Sequence, residues 1–352
     1  GRRWATQLPP LGDVVAAGVD RLLAARNQGG WWRDFFDRGR PSDADARVTG
    51  YASDEWVTAY VATTLSGLGD PRARAAAEHS LELLMARRDD SPGWGYHALL
   101  PPDADTTTWV LRLAANLGAA DSERLAAARQ FLTGLLSPDG SLATYERAAA
   151  AQLAGFLRMD GTYDGWCAPH TCVTAAAGIL GLSRDVIEFL RRAQQDDGSW
   201  TGHWWDDDEY TTARAAESLA SCQADTAAVR RAAAWAVSRI DDDGAVRAVG
   251  DGSESAFATA LAVQVVLAGM TPGQPAPEAV ERSVRWLTRQ QRTDGSWAPS
   301  ARLRVPSPNA IEPLACPQTT LVYLDDDALF TTATVVGSLA AVTAARREAA
   351  TK

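Results

Sequence analysis

Two acidic residues stand two positions apart where a loop enters an apolar helix: Asp103 and Asp105, in the stretch PPDADTTTWV. Protonating a carbon–carbon double bond requires a carboxyl group that keeps its proton near neutral pH. Burial in an apolar pocket and the repulsion of a second carboxylate both hold a carboxyl group in that state. The pair therefore indicates general-acid chemistry on a very weak base. The competing interpretation is that both acids cap a helix, whose first turn favours negative charge.

The composition limits the class of protein. The chain has 352 residues, of which 46% are hydrophobic, and a formal net charge of -10. The negative charge argues against a nucleic-acid partner. Neither a run of about 18 uncharged apolar residues nor a signal-peptide core is found, so we expect no transmembrane segment. Four cysteines without paired CxxC spacing favour a reduced, cytoplasmic protein.

A short phrase ending in Asp-Gly-Ser-Trp recurs along the chain. It reads QQDDGSW at 194–200 and QQRTDGSW at 290–297, and each copy follows an amphipathic, arginine-rich helical pattern. Degenerate copies stand at 27–32, 89–96, 137–145 and 241–246. Such recurrence predicts repeats of one structural unit. The glycine after the aspartate suits a left-handed helix cap, so each phrase is expected to end a surface helix.

A more uniformly apolar helix, rich in alanine and threonine, follows each loop. A helix that is apolar on all faces is buried, whereas one with an arginine-rich face meets water. The buried helices are predicted over 54–68, 105–117, 171–182, 208–221, 255–269 and 327–345. Alternation of six outer and six inner helices around one centre predicts an all-α fold, an (α/α)6 barrel that spans residues 1–352 as a single domain.

The repeated phrase resembles the QW motif of squalene-hopene and oxidosqualene cyclases, and the acid segment resembles theirs as well. In that segment Gly-Trp, an aromatic-rich loop and a proline precede Asp-x-Asp-[Asp/Thr]-Thr, here with Thr106 at the third acidic position. SDEWVTAY at 53–60 and the repeat at 191–212 are also similar to cyclase repeats. The resemblance implies a class II terpene cyclase of the squalene-hopene cyclase superfamily, built as a single β-domain.

That resemblance assigns roles around the acid. The middle acid of the family motif donates the proton, which implies Asp105 as the general acid, Asp103 as its partner and Thr106 as part of the same site. Hopene cyclases also place a histidine against the acid, but Ala176 stands at that position here. His170, at the mouth of the same helix, either substitutes for the histidine or caps the helix.

Aromatic residues at the starts of the inner helices suit a migrating positive charge, because aromatic faces stabilise cations without offering a lone pair. Tyr210 falls at a tyrosine position that lies near the acid in the family. The other residues expected to bind substrate are Trp56, Trp109, Phe257 and Phe330. Core packing is the competing interpretation for most of them.

The starts of the inner helices should lie together at one end of the barrel. We therefore expect the acid pair, His170 and Tyr210 to cluster at one end of the cavity. The QW residues Gln195, Gly198 and Trp200 are expected to be structural and to lie on the outside.

The lack of a membrane-docking helix and of a second domain favours a linear prenyl diphosphate, farnesyl or geranylgeranyl diphosphate, over squalene. The diphosphate would be retained in the product and would need cations, whereas protonation itself needs no cofactor. The candidate cations are Arg33, Arg38, Arg302 and Arg304, or Mg2+ held by Asp206, Asp207 and Asp208 or by Asp325, Asp326 and Asp327. Helix capping equally explains both acidic runs.

Other functions fit the same residues. One is cyclisation of a prenylated aromatic, or meroterpenoid, substrate, and another is a barrel without catalysis that acts as a binding module. A zinc enzyme like the protein prenyltransferases would explain His170-Thr171-Cys172, but no Asp-x-Cys segment supplies the remaining ligands. The expected partner is a small isoprenoid molecule, with at most loose membrane association.

Overall fold

The computed structural model describes residues 7–36, 52–88, 91–119 and 122–351, in which two concentric layers of helices surround one centre. The outer helices are α1 (Leu11–Ala24), α3 (Pro71–Ala86), α5 (Glu123–Gly134), α8 (Arg184–Ala193), α10 (Thr226–Arg239) and α12 (Glu278–Gln290). The inner helices are α2 (Glu55–Ser66), α4 (Ala104–Leu117), α7 (Thr171–Ala177), α9 (Glu209–Ser221), α11 (Ala256–Ala268) and α13 (Leu329–Ala350). The predicted alternation of outer and inner helices is confirmed.

The inner helices form a closed ring. Each contacts the next along the chain, and α13 returns to contact α2. The outer helices lie against this ring, with α1 on α13 closing the outer layer. Alanine and threonine dominate the inner helices, and their small side chains let six helices approach one centre. Helix α11 is buried on nearly all faces, whereas α8 and α12 turn arginines towards water.

Five smaller elements were not predicted from the sequence. Helix α6 (Ala150–Leu157) stands between α5 and α7, and β1 (Val246–Arg247) pairs with β2 (Glu254–Ser255). Strand β3 (Arg302–Val305) pairs antiparallel with β4 (Leu321–Leu324). Helix α6 and the β3–β4 hairpin cover the end of the ring where the inner helices begin.

Helix α13 is, within the described ranges, the one helix long and apolar enough to cross a membrane by length and composition alone. Of its apolar window, 61% is buried inside the barrel, where it contacts α1, α2 and α11. The same composition is therefore explained by its place in the inner ring.

The tryptophans of the QW repeats bind the ends of the outer helices. In each case the indole N–H donates to the backbone carbonyl ten residues earlier, at 2.7 or 2.8 Å. The donors are Trp32, Trp94, Trp200 and Trp297, all fully buried. Carbonyls in the last turn of a helix have no partner within the helix, so each indole satisfies one of them.

Two of the three QW residues expected on the outside are in fact buried. Gln195 is exposed, but Gly198 and Trp200 lie between neighbouring repeats. The side chain that ties the repeats together is Gln194, whose amide donates to Gly198 O at 3.0 Å and to Ala228 O, in α10, at 2.9 Å. The motif therefore joins one outer helix to the next from within the wall of the barrel.

Gly198→Ala should destabilise the barrel. Gly198 has a φ of +98°, and a β-carbon there would lie 2.5 Å from the carbonyl oxygen of Arg231. The matched control is Gly118→Ala, because Gly118 has a φ of +72° with no atom within 4 Å of the added carbon. Left-handed strain costs about 1–2 kcal/mol at both sites, and the contact with Arg231 should add about 1–3 kcal/mol at Gly198. Chemical denaturation measures both; equal losses would contradict the expected contact.

Candidate active site

A cavity of about 160 Å3 lies at the end of the ring where the inner helices begin. The acid pair and Trp56 line it, as the sequence predicted. Most of the remaining wall is aromatic and was not predicted. These residues are Phe35, Tyr96, His97, Tyr145, Phe156, Trp166, Trp204, Trp205 and Tyr323.

Asp103 is both the N-cap of α4 and a member of the acid pair. Its Oδ1 accepts the backbone N–H of Thr106 at 2.6 Å, and its Oδ2 accepts the Thr106 hydroxyl at 3.0 Å. Burial raises the pKa of Asp103 to about 7, against the lowering effect of the two bonds from Thr106. The capping and acid-pair interpretations of this residue are therefore compatible.

Asp105 holds its proton more strongly. Burial and then the charge of Asp103 raise the pKa of Asp105 to about 8. The indole N–H groups of Trp56 and Trp109 lower it without completing a bond of normal geometry, and Asp105 Oδ1 is buried with no hydrogen-bond partner among the described residues. Asp105 also lines the cavity. A carboxyl group that keeps its proton at the wall of an apolar cavity is suited to donate that proton.

An ion pair holds the loop that carries these acids. Glu55, the first residue of α2, is fully buried and bonds Arg88 Nε through both carboxylate oxygens, at 2.9 and 3.1 Å. Arg88 Nη2 donates to the carbonyls of His97 and Leu100, at 2.5 and 2.7 Å. The backbone N–H of Gly95 donates to Glu55 at 2.9 Å. The aromatic loop and the acid pair are thus fixed to the start of the neighbouring inner helix.

Trp56 and Trp205 are central to the aromatic wall. Trp56 lies 4.7 Å from the ring of Phe330, and Trp205 lies 4.3 Å from Tyr210 and 5.3 Å from Phe257, centroid to centroid. Tyr210, Phe257 and Phe330 therefore pack directly behind the two tryptophans and do not themselves line the cavity. In this structure they support the rings that line the cavity, and their role in binding substrate stays a prediction.

Trp109 lies in the same supporting layer, beneath the acid. Its indole N–H donates to the hydroxyl of Tyr210 at 3.2 Å, and both side chains are almost fully buried. Tyr60 packs edge-on against Trp109 at 4.6 Å and stacks on Phe330 at 3.7 Å. These rings close the cavity from below.

His170 does not replace the family histidine. Its Nε2 contacts the carbonyl of Gly165 at 2.9 Å, so this nitrogen carries the proton and donates it. Its Nδ1 then accepts the hydroxyl of Thr144 at 2.6 Å. Burial and the adjacent His203, stacked at 3.8 Å, hold the pKa of His170 well below its usual value. Both nitrogens are used for structure, and within the described part of the chain neither bonds the acid pair.

Two of the four arginines proposed for a diphosphate, Arg302 and Arg304, are bonded to other protein groups. Arg302 pairs with Asp206 at 3.1 Å, and Arg304 is buried with bonds to the carbonyls of His203 and Gly202. Arg33 is exposed, and Arg38 lies outside the described residues. The charge of Arg33 acts on His97, which lines the cavity. A cation site at these arginines therefore stays a prediction.

The acidic runs also have structural partners. Asp325 is buried and accepts backbone N–H groups from Ser300, Ala301 and Thr331 at 2.7 to 3.2 Å. Asp207 accepts the N–H of Val249 at 3.0 Å. Across the described ranges no group of three His, Cys, Asp or Glu side chains is arranged to hold a metal ion. Mg2+ on these acids stays a prediction.

Comparisons of sequence and of structure with known proteins agree on one family. Residues 178–304 match the squalene-hopene cyclase C-terminal domain family. The chain is 35% identical to the type II terpene cyclase MstE from Scytonema, a variant of which was solved with geranylgeranyl dihydroxybenzoate as substrate. That match has a TM-score of 0.84 and covers 95% of this chain and 98% of the other.

Two curated relatives are more distant and longer. A squalene–hopene cyclase from Bradyrhizobium diazoefficiens is 26% identical over 82% of this chain and 48% of its own length. A drimenyl diphosphate synthase from Streptomyces showdoensis is 25% identical over 64% of this chain and 42% of its own length. The chain spans about half the length of the curated relatives it matches.

Proposed function

This chain belongs to the type II terpene cyclases, and we propose that it cyclises a linear isoprenoid that bears an aromatic head group. The observation that carries the head-group assignment is the composition of the cavity wall. Among the described residues that line it, none is arginine or lysine. A diphosphate placed there would lose solvent screening without a cation in the described wall to balance its charge. An aromatic head group needs no such cation.

The substrate of MstE supports the same assignment. Geranylgeranyl dihydroxybenzoate carries an aromatic ring with at most one carboxylate, and this chain covers 98% of the length of MstE. The drimenyl diphosphate synthase favours the diphosphate alternative, but the chain covers only 42% of that protein. We therefore place the aromatic substrate first and keep the diphosphate as the competing outcome.

In the proposed reaction Asp105 transfers its proton to the terminal double bond of the prenyl chain. The new C–H bond leaves a tertiary cation, which neighbouring double bonds attack in turn, so that each step forms a C–C bond and moves the charge. Loss of one proton from the last cation ends the reaction and balances the proton supplied. The product is an isomer of the substrate, and the aromatic walls stabilise the cations while excluding water.

A non-catalytic barrel is less consistent with the acid site. A binding module gains nothing from two buried carboxyl groups, one with an unpartnered oxygen, because burying them destabilises the fold. Strained or costly polar groups of this kind are concentrated at catalytic sites. The energetic cost of the pair therefore favours catalysis.

The proposal is tested by comparing turnover of aromatic and diphosphate substrates. We expect purified protein to convert farnesyl or geranylgeranyl dihydroxybenzoate to an isomer of unchanged mass and altered retention time, detected by liquid chromatography and mass spectrometry. Chelator should have no effect, because the proposed chemistry uses no metal. Turnover of farnesyl or geranylgeranyl diphosphate that chelator abolishes would overturn the head-group assignment. Binding of all substrates with turnover of none would favour the binding module.

A further inference from the structure

Asp105, Trp109 and Arg112 lie one below another on α4. Their spacing of four and then three residues places them on the same helix face. The guanidinium carbon of Arg112 lies 4.2 Å from the centroid of the Trp109 ring, and Arg112 is 7% exposed. Trp109 is thus held between the acid above it and a buried cation below it.

Arg112 is fixed in place by contacts to two neighbouring helices. Its Nη2 pairs with Glu217 Oε1, in α9, at 2.7 Å, and its Nη1 donates to the carbonyl of Ala176, in α7, at 3.1 Å. Arg214 Nη1 pairs with the other oxygen of Glu217 at 3.0 Å. The alanines of α7 leave the space through which these side chains of α4 and α9 meet. Because the guanidinium of Arg112 is bonded to both Glu217 and Ala176, it is held in one position.

The Arg112–Glu217–Arg214 cluster also separates two cavities. A second cavity, of about 840 Å3, lies at the opposite end of the ring and is lined by all three of these side chains and by Trp109. The cavity at the acid has none of the three in its wall. Trp109 and its guanidinium support therefore stand between the acid and this lower cavity.

We propose that Arg112 is a positioning residue for the reaction: it fixes the Trp109 ring beneath Asp105 and places there a positive charge that Glu217 balances. This inference rests on the proposed cyclisation. Stacking on a guanidinium holds an indole in one orientation. A fixed Trp109 keeps Tyr210 in its bond to the indole N–H and keeps the floor of the cavity closed to water.

The charges around the acid set the direction of the expected effects. Arg112 lowers the pKa of Asp105, and Asp103 raises it. The charged or titratable groups that face this site from the packed elements are Asp103 at the cap of α4, Arg112 of α4, Glu55 and Tyr60 of α2, Tyr145 of the loop before α6, Cys172 of α7, and Tyr210, Arg214 and Glu217 of α9. Removing Arg112 leaves Glu217 to oppose ionisation, whereas removing the charge of Glu217 leaves two arginines to favour it.

The test is the titration of Asp105 in Arg112→Gln and Glu217→Gln. The infrared band of the protonated carboxyl, identified by its loss in Asp105→Asn, reports this without any turnover. We expect the midpoint to move up by about 0.3–1 pH unit in Arg112→Gln and down in Glu217→Gln. The alkaline limb of the rate profile should move in the same directions. Unchanged midpoints in both variants, with only a lower melting temperature, would overturn the proposal.

Arg112→Lys separates the effect of the charge from that of the stacking contact. It also keeps the proposal testable if Arg112→Gln does not fold. A lysine keeps the positive charge but not the planar contact with Trp109. We expect a midpoint near that of the wild type with a kcat reduced about tenfold. A wild-type kcat would show that stacking has no role and would overturn the positioning assignment. Shifted titrations in a protein that turns over no isoprenoid would instead count against the proposed cyclisation.

Discussion

Asp105→Asn is expected to abolish cyclisation while the barrel stays folded. Asparagine has nearly the same volume but no acidic proton, and the cap of α4 is provided by Asp103 and not by Asp105. Asp105 Oδ1 has no hydrogen-bond partner in the described structure, so the substitution removes no bond there. Turnover should fall by at least about a thousandfold. Substrate conversion measures the loss of activity, and circular dichroism on the same preparation measures whether the barrel stays folded.

The matched control is Asp103→Asn, two residues away. An asparagine at 103 can still accept the backbone N–H of Thr106, and it removes the negative charge that raises the pKa of Asp105. We expect partial activity with an alkaline limit moved to lower pH. If Asp105→Asn kept more activity than Asp103→Asn, the proton donor would have been assigned to the wrong residue.

The helical layers could be predicted because their signal is repeated. Inner and outer helices differ in composition six times over, and the predicted helix 105–117 agrees with the observed Ala104–Leu117. The helix predicted over 171–182 is shorter, since α7 ends at Ala177 and continues as a 3-10 turn to Leu180. Beyond Ala177 the sequence is rich in glycine, which weakens the helix. Composition alone did not distinguish this stretch from the alanines before it.

Much of the cavity wall could not be predicted, because it comes from segments without periodicity. Trp205 stands next to the acidic run that was interpreted as a cap, and a bridge to Leu303 of β3 places it over the ring. Phe156 comes from a two-turn helix, and Tyr323 from a strand of four residues. Such short elements carry no pattern distinct from a loop. The acid pair was predictable because both of its residues stand in one motif. The wall of the cavity depends on contacts between segments that are distant in the sequence.

Cyclisation should be lost as the pH rises through about 8. The acid must be protonated to act, and the pair has a pKa of about 7 at Asp103 and about 8 at Asp105. Asp103 is expected to ionise first, which stabilises the proton on Asp105 through like-charge repulsion. Above pH 8 kcat should fall about tenfold per unit. A rate profile measured with single-turnover kinetics tests this; a constant rate to pH 10 would contradict an acid with such a pKa.

The same shift should appear in the stability of the protein. In the folded state the pKa of Asp105 is raised from its ordinary value of 3.8 to about 8, so between these values the folded protein binds a proton that the unfolded chain releases. This contribution to stability is complete below pH 4 and is lost as the pH rises towards 8. The melting temperature of the wild type should therefore fall between pH 5 and 9 more steeply than that of Asp105→Asn, in which position 105 does not titrate. Parallel curves for the two proteins would mean that Asp105 ionises near its ordinary pKa, and the buried carboxyl could then not serve as the proton donor at neutral pH.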